Sequence, residues 1–454
     1  MTPFLSPKNW RNTALLPLVL MACAQPAVEL DLEQTEHLVA GASGGEIALN
    51  PLAEPLNEES LRASLADGLD LKTALSLTLQ NKKELQAELL EVGLAQADLV
   101  QAGLLSNPTL DLAIRFPGDG TGNLIDALLG FELLEMWQVP LRERTADYAL
   151  QTTVAEVARA ASGYLRQTRV VYLEWQLQEQ LFRIQERKVA LALEQWSAQG
   201  ELAQEGLADS ASVEALHLQL LQARNALDAT IAHREAAAQA MGRALSLSVS
   251  MEGIALLDPW PVPGSWEGAR GDLVTQALEA RLDLRAMASK VEALEAELAL
   301  RKRQRFGALS AGPSIEDPGS GETSIGPGVS WTIPLFDRNQ AGVAKAEFAL
   351  QQARLQWEGA QAQAAQDVRS AWSRMVEAGQ RRGRLFDEIL PLARSMEGRV
   401  REAVELGAAS WQEMRAAEVE TLEVLTQLLR ADKDLLEAQM ELEWATGGPL
   451  PWKD

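Results

Sequence analysis

The sequence predicts a mainly α-helical protein with a small β part, in which one order of elements occurs twice. Composition is the first reason: 47% of the 454 residues are apolar and only 5% are aromatic, with Ala, Leu, Gln and Glu dominant, which favours long helices. Long helix-period tracts alternate with short patches of period 2. The order helix, two strand-like patches, long helix, glycine turn and helix is written twice, which indicates an internal repeat.

The charge and the rare residue types argue against several functional classes. The net charge is -23, which disfavours a nucleic-acid-binding surface. One cysteine excludes a disulfide within the chain and a multi-cysteine metal site, and three histidines leave little for a catalytic centre. No metalloprotease, calcium-loop or nucleophile-elbow motif occurs. The sequence therefore predicts no enzyme, no cofactor and no metal site.

Residues 1–22 have the pattern of a signal peptide. Lys8 and Arg11 form a positive region, and the apolar run Ala14 to Ala22 is too short for a bilayer core of about 30 Å. Leu20-Met21-Ala22-Cys23 resembles the lipobox of bacterial lipoproteins, although Met21 departs from the usual small residue. The resemblance implies that Cys23 is acylated, and Ala24 after it resembles sorting to the outer membrane. An incidental cysteine is the alternative.

Residues 23–70 are predicted to form a lipidated N-terminal strap. Ten acids and one base, Arg62, lie between Ala24 and Asp70, among many Pro, Gly and Ala residues. This composition is typical of an extended or partly disordered segment. Acyl chains would anchor the strap without spanning the bilayer. No later segment predicts a transmembrane helix, so strands are the remaining way to cross a membrane.

The first repeat is predicted over residues 71–245. Its elements are a helix Leu71–Leu105, a strand Thr109–Phe116, a poorer strand Leu128–Val139, a long helix Thr145–Glu201, a turn at Glu205–Leu207 and a helix Ala211–Leu245. Apolar and polar residues alternate strictly in the first strand, which indicates one apolar face. Pro140 is expected to close the second strand.

The second repeat is predicted over residues 273–447, after a linker 246–272 and before a tail 448–454. Its elements are a helix Leu273–Arg305, strands Ala308–Ile315 and Ile325–Ile333, a long tract Gln340–Glu405, a turn at Leu406–Ala408 and a helix Gln412–Trp444. Pro391 is expected to kink the long tract or to mark a join. Pairing Pro140 with Pro334, and Gly206 with Gly407, predicts that the second tract is one heptad longer.

The two repeats together resemble the TolC family of outer-membrane efflux channels. The motifs that carry the resemblance are Asn107-Pro108, Ile333-Pro-Leu-Phe-Asp-Arg338, Ile389-Leu-Pro-Leu-Ala393, the turn glycines Gly206 and Gly407, and the closing Leu442–Gly447. The resemblance implies a homotrimer with a long antiparallel α-helical coiled-coil barrel. It also implies that four strands from each chain join one shared trimeric membrane β-barrel, and that the duct meets a periplasmic adaptor protein and an inner-membrane transporter.

Elementary strand counting agrees with such an assembly. Four short strands cannot close a membrane barrel, which needs at least eight, whereas three chains supply twelve. Two soluble hairpins packed on helices are the alternative. Trp137 and Trp331 near the strand ends suit an interfacial aromatic belt or ordinary packing equally well.

The candidate site residues lie at the two glycine turns. The resemblance implicates Gly206, Leu207, Gly407 and Ala408 in contact with the adaptor, although Ala409 stands where the family has a positive residue. The alternative is that each glycine only permits a positive φ at a helix end. The resemblance also implies that Glu413, six residues after Gly407, could form a carboxylate ring at a closed aperture. Glu201 and Glu205 are equal candidates, and a solvated helix face is the alternative.

The sequence thus predicts a lipid-anchored exit duct in the outer membrane, extending into the periplasm, that conducts passively and performs no chemistry. A lipid-anchored periplasmic coiled-coil spacer without a pore is the rival structural reading, and strand content separates the two. A lipoprotein hydrolase is the rival enzyme, which three scattered histidines disfavour. Metal ions, drugs and organic cations all stay open as cargo.

Overall fold

A computed structural model describes residues 30–45, 48–51, 61, 63–116, 123–247, 250–266, 268–319 and 321–453. The predicted signal peptide and Cys23 therefore lie outside the described residues. In the described part the chain is mainly helical, with one antiparallel sheet and a duplicated order of elements, as predicted.

The first repeat follows a short helix in the strap. The elements of this half are α1 (Glu33–Ser43), α2 (Leu71–Asn81), α3 (Lys83–Gly103), β1 (Thr109–Arg115), β2 (Leu124–Glu132), α4 (Leu133–Gln204) and α5 (Ser210–Ala244). Helix α4 has 72 residues and at 1.5 Å per residue is about 108 Å long. A helix of this length is stabilised by packing rather than by propensity, and it contacts α2, α3, α5, α7 and the last helix of the chain.

The second repeat has the same order. Its elements are α6 (Arg270–Ala280), α7 (Leu282–Gln304), β3 (Leu309–Asp317), β4 (Ser324–Trp331), α8 (Gln340–Gly383), a π-helix (Arg384–Ile389), α9 (Leu390–Glu405) and α10 (Trp411–Thr446). The π-helix ends two positions before Pro391, which lies in the first turn of α9, so the predicted join at this proline is confirmed. The N–H of Leu390 donates to the carbonyl of Leu385, five residues back, which widens the turn where Pro391 has no N–H to donate.

The predicted strand Leu128–Val139 is wrong in its second half. Strand β2 ends at Glu132, and α4 begins at Leu133 and contains Pro140. An apolar run of this length fits a strand or a helix equally well by pattern, and here the helix prevails. Pro140 is the eighth residue of α4, so its missing N–H leaves one helical hydrogen bond unmade near the start of that helix.

The predicted heptad difference between the repeats is wrong for the same reason. Pro140 lies in a helix and Pro334 in a loop, so they are not equivalent. Corresponding elements of the two repeats are separated by nearly the same number of positions. The first residues of β1 and β3, Thr109 and Leu309, are 200 positions apart, and the turn glycines are 201 positions apart. The stretch from sheet to turn is therefore nearly equal in the two repeats, and the second helical tract, Gln340–Glu405, is shorter than α4 because a loop precedes it.

Each predicted opening helix is divided in two by one extended residue. Lys82 separates α2 from α3 at φ -70° and ψ 107°, and Arg281 separates α6 from α7 at φ -64° and ψ 123°. The extended residue at each break is a cation, and its side chain contacts the long helix of the same repeat. The ammonium of Lys82 lies 4.8 Å from the ring centroid of Tyr164, whereas Arg281 enters a buried ion cluster described below.

The strap is not extended throughout. Residues Glu33–Ser43 form α1, and Thr35 and Val39 on it are buried. Arg169 on α4 donates from Nη2 to the carbonyl of Ser43 at 2.7 Å, which holds the end of α1 on the long helix.

The four strands form one sheet in the order β1-β2-β3-β4, all antiparallel. The two hairpins are therefore joined by the β2–β3 pairing across the repeats. The register places one apolar row across the sheet, made of Leu112, Ala127, Ile315 and Ile325. Neighbouring positions form a polar row on the opposite face, made of Ala113, Asp126, Glu316 and Ser324. The apolar face is exposed in the single chain, and so are the outer edges of β1 and β4.

Candidate functional site

The two glycine turns have the same backbone. Gly206 has φ 75° and Gly407 φ 73°, the left-handed region that glycine adopts without strain. In the first turn the N–H of Leu207 donates to the carbonyl of Leu202 at 2.8 Å. In the second turn the N–H of Ala408 donates to the carbonyl of Ala403 at 2.7 Å. Both turns are Schellman motifs, which satisfy the last carbonyls of α4 and of α9.

The returning helices begin with matched caps. The Asp209 carboxylate accepts from the N–H of Ser212 at 2.7 Å, and the Ser410 hydroxyl accepts from the N–H of Glu413 at 3.2 Å. Both cap residues have an extended backbone, as an N-cap requires. Turn and cap together fix the two helical hairpins locally, whatever lies beyond them.

The end of the molecule formed by these two turns, here called the tip, exposes apolar side chains. Leu207 is 71% exposed, Leu406 77% and Trp411 65%. A Cβ built on Gly206 or Gly407 meets no atom within 4 Å. The space around both glycines is therefore open, and their backbone conformation alone requires glycine in the isolated chain.

A polar seam joins the first repeat to the second along α4 and α10, which run antiparallel. Near the tip, Gln412 Nε2 donates to Gln199 Oε1 at 3.0 Å, and Arg415 pairs with Glu194 at 2.5 Å. Farther from the tip the contacts are Arg187 with Glu418 at 2.6 Å, Lys188 with Glu423 at 2.6 Å and Lys433 with Glu174 at 3.0 Å. These pairs hold the two hairpins side by side.

Glu413 is already engaged within its own helix end. Its carboxylate accepts from the Ser410 N–H at 2.7 Å and completes a capping box with the Ser410 hydroxyl. The backbone hydrogen bond from Ser410, and then the hydroxyl, lower the pKa of Glu413 below its usual value. The side chain is thus an ionised cap in the single chain. Glu201 and Glu205 are exposed near the first turn.

The ion cluster at Arg281 was not predicted from the sequence. Its guanidinium, 7% exposed, donates to Asp283 at 2.7 Å and to Asp367 at 2.9 Å, and Arg159 reaches Asp283 at 3.2 Å. Burial by itself would raise the pKa of Asp283, but the hydrogen bond from Arg281 and the charges of Arg159 and Arg281 outweigh it, so the pKa is lowered. No local motif predicts this cluster, because Arg159 and Asp367 are far in sequence from the pair Arg281 and Asp283.

Trp137 and Trp331, predicted near strand ends, lie at the junction of sheet and helices. Trp137 belongs to α4, and its ring centroid is 6.0 Å from that of Phe306. Trp331 ends β4 and donates from Nε1 to the Phe306 carbonyl at 3.2 Å. The three rings, called the aromatic girdle below, are partly exposed.

Two general properties bear on the function. None of the helices in the described part of the chain combines the length and hydrophobicity that crossing a bilayer requires. Within the described ranges, no three His, Cys, Asp or Glu side chains are grouped so as to hold a metal ion.

Comparison with known proteins gives a family match in the second repeat. Residues 273–448 match the family described as outer membrane efflux protein. No curated protein sequence matches the chain.

Solved structures match over most of the chain at low identity. VceC, an outer membrane protein of Vibrio cholerae, is 16% identical with a TM-score of 0.63, over 84% of this chain and 96% of its own. CusC, whose structures are described in terms of transmembrane channel formation, is 17% identical with a TM-score of 0.65. The match covers 84% of this chain and 93% of CusC. The outer-membrane channel OprN is 16% identical with a TM-score of 0.63, over 93% and 97%. Residues 273–448 thus match the outer membrane efflux protein family, and the chain has the fold of these outer-membrane channels.

Proposed function

We propose that this protein is the outer-membrane exit duct of a tripartite efflux pump. In this proposal three copies assemble and conduct substrates passively from an inner-membrane transporter and a periplasmic adaptor to the outside. The observation that carries the proposal is the exposed apolar face of the four-stranded sheet, continuous with helices of about 100 Å, in a chain with an efflux-protein domain.

The sheet supports assembly from several copies. Its outer strands β1 and β4 have unpaired edges, which are not tolerated in lipid. Pairing β4 of one copy with β1 of the next removes every edge, and three copies give twelve strands, enough for a membrane barrel. A spacer without a pore would have no use for four strands with an apolar face, so this rival is disfavoured.

The tip supports the adaptor contact. Leu207 beside Gly206, and Ala408 beside Gly407, are exposed on open turns with room for a helical partner around them. We place the adaptor at these four residues. Opening is a splaying of the tip helices, driven by an adaptor that binds the open state more tightly than the closed one.

The proposal also includes an acylated Cys23 that anchors the duct to the outer membrane from the periplasmic side. We expect Cys23→Ala to abolish incorporation of labelled palmitate, and Cys23→Ser to behave identically. Palmitate still bound to either variant would overturn the anchor while leaving the duct proposal intact.

The first experiment is a measurement of oligomer mass together with single-particle images of the protein extracted in mild detergent. A mass near three times that of the chain, in a hollow rod with a tapered end, is expected. A monomer or dimer without a lumen would overturn the proposed function. Gly206→Glu and Gly407→Glu are then expected to abolish export with the trimer intact, and normal export from both would overturn the docking assignment.

Glu413 is tested separately by single-channel recording. As an aperture ring, three carboxylates near the axis would favour cations, so Glu413→Gln is expected to lower cation preference. Ser410→Ala serves as the control, because it weakens the same capping box by removing the Ser410 hydroxyl and keeps the Glu413 carboxylate. If both variants change conductance alike, Glu413 acts only as a helix cap.

A further inference from the structure

The end of α7 carries the densest basic run of the chain, Arg301 to Arg305. Two of its four cations form ion pairs: Arg301 pairs with Glu297 at 3.1 Å and Lys302 with Glu347 at 3.2 Å. Arg303 and Arg305 have no carboxylate partner among the described residues, and Arg338 in the loop after β4 has none there either. Other arginines of the described part also lack an ion pair, so what distinguishes these three is that they are grouped next to the sheet, where they can bind an external anion.

These three arginines, here called the basic collar, lie at one place in the fold. Arg303 donates from Nη1 to the carbonyl of Trp137 at 2.6 Å, and its guanidinium carbon is 4.4 Å from the centroid of that ring. The loop that bears Arg338 is held to the end of α7 by Asn339, whose Nδ2 donates to the Arg301 carbonyl at 3.0 Å. Arg305 lies over the ring of Phe306 at 4.9 Å.

The collar borders the apolar face of the sheet. Trp331 pairs with Leu309, two positions along β4 from the pair Ala311 and Val329, so it continues the side that bears the apolar row. Its Nε1 bonds to Phe306, which brings the aromatic girdle and the collar together at the helical end of that face. In the loop beside the collar, Phe336 is 93% exposed.

Along the protein, a band of apolar residues is followed by aromatic rings and then by cations. This order matches a membrane leaflet, in which the acyl chains are followed by the interface and the headgroups. Aromatic side chains prefer the interface, and basic residues next to it are attracted to anionic lipids. The corresponding place in the first repeat differs: α3 ends at Gly103 and is followed by Leu104-Leu105-Ser106, with no cation. The collar is therefore a property of one repeat and would occur three times in a trimer.

We propose that the basic collar of Arg303, Arg305 and Arg338 binds the phosphate headgroups of anionic phospholipids in the leaflet that faces the helices. This inference rests on the proposed membrane duct and adds a lipid ligand to it. The guanidinium groups bind phosphate oxygens, and the aromatic girdle with Phe336 contacts the glycerol and acyl region.

The test uses the full chain, reconstituted in an equimolar mixture of phosphatidylcholine and phosphatidylglycerol and then extracted gently. Mass spectrometry measures the phosphatidylglycerol retained for each chain. The double variant Arg305→Gln/Arg338→Gln removes two collar charges and no internal ion pair. The matched control Arg374→Gln/Arg401→Gln removes the same charge from arginines far from the sheet that pair with Glu441 and Glu397.

Retention in the collar variant is expected to fall by about fivefold or more, since each basic residue near an anionic lipid surface contributes about a factor of five. The control is expected to match the wild type, and Arg305→Lys/Arg338→Lys to retain most of the lipid. Equal retention in collar and control variants overturns the proposal. Selective retention of lipopolysaccharide, offered in a parallel mixture with phosphatidylcholine, also overturns it.

Single-channel conductance separates this proposal from the function on which it rests. If the wild type conducts but retains no phosphatidylglycerol, only the collar assignment fails. If the wild type neither inserts nor conducts, the duct fails and the lipid site fails with it.

Discussion

The two long tracts that lead from the sheet to the tip differ in continuity although they end in the same turn. Helix α4 is unbroken over 72 residues, whereas the second tract consists of α8, a six-residue π-helix and α9. Glu132 and Gly206 are 74 positions apart, and Trp331 and Gly407 are 76 positions apart. The second stretch includes the loop 332–339, so its helical part, Gln340–Glu405, is shorter than α4 although the whole stretch is slightly longer.

The comparison teaches which features a repeat must keep. Both copies keep the extended break before the sheet, the antiparallel hairpin, the Schellman turn and the capped return. The side chains at these places differ: Lys82 lies on an aromatic ring where Arg281 enters an ion cluster, and Glu205 precedes one turn glycine where Leu406 precedes the other. Backbone geometry is retained, and the chemistry attached to it is specific to each copy.

The largest expected effect comes from placing a proline in the unbroken tract. Ala190 in α4 lies 201 positions before Pro391, the spacing of the turn glycines. Ala190→Pro is expected to lower the free energy of unfolding by about 3 kcal/mol or more, because a regular helix loses a hydrogen bond and gains a clash there. Pro391→Ala is expected to change it by less than about 1 kcal/mol, since the π turn already removes both costs. Denaturant unfolding in detergent measures both, and equal losses would show that the tracts are equivalent.

The two helix breaks should differ almost as strongly. Arg281→Met removes the arginine partner of Asp367 and leaves Asp283 with Arg159, and it is expected to cost about 3 kcal/mol, the low end for breaking a buried pair. Lys82→Met loses a cation–π contact and is expected to cost about 0.5 to 1 kcal/mol. Thermal unfolding of the two variants beside the wild type checks the order, which the same loss in both would contradict.

This cluster also predicts a direction with pH. The pKa of Asp283 is lower in the folded chain than in the unfolded one, so its stabilisation is complete above the usual Asp pKa of about 3.9 and is lost as the pH falls through the folded value. The gap in stability between the wild type and Arg281→Met should therefore shrink in acid. If this difference in stability stays constant as the pH falls below the Asp pKa range, Asp283 does not contribute to it.

The turn glycines should respond alike, because their backbones are alike. Gly206→Ala and Gly407→Ala are each expected to cost about 1 to 2 kcal/mol, since a Cβ is strained at positive φ although the space is open. Gly→Asn at the same positions should cost less, because Asn tolerates this region. Unfolding of the four variants measures the difference, and a large cost at only one turn would point to a contact absent from the single chain.

The smallest effects are expected at the caps. Asp209→Ala and Ser410→Ala are each expected to cost about 1 kcal/mol through the lost N-cap hydrogen bond. Hydrogen exchange of the first amides of α5 and α10 should accelerate in the corresponding variant only. Acceleration at both helices from one substitution would mean that the seam couples the two hairpins.

The sequence by itself determined the order of elements, the two glycine turns, the disturbance at Pro391 and the apolar faces of β1 and β4. These features are encoded locally, in periodicity and in the backbone preferences of Gly and Pro. Tertiary structure decided what periodicity leaves ambiguous. Leu133–Val139 became helix, with Glu135 bonded to Ser106 and Arg142, and the opening helices broke at Lys82 and Arg281, which carry no helix-breaking signal.

Tertiary structure also decided every contact between the repeats. The pairing of β2 with β3, the seam of α4 with α10 and the ion cluster at Arg281 join residues that are far apart in the chain. A carboxylate in a chain with 64 acids does not announce its partner. Such contacts are selected by the packing of whole elements, and that packing exists only once the chain has folded.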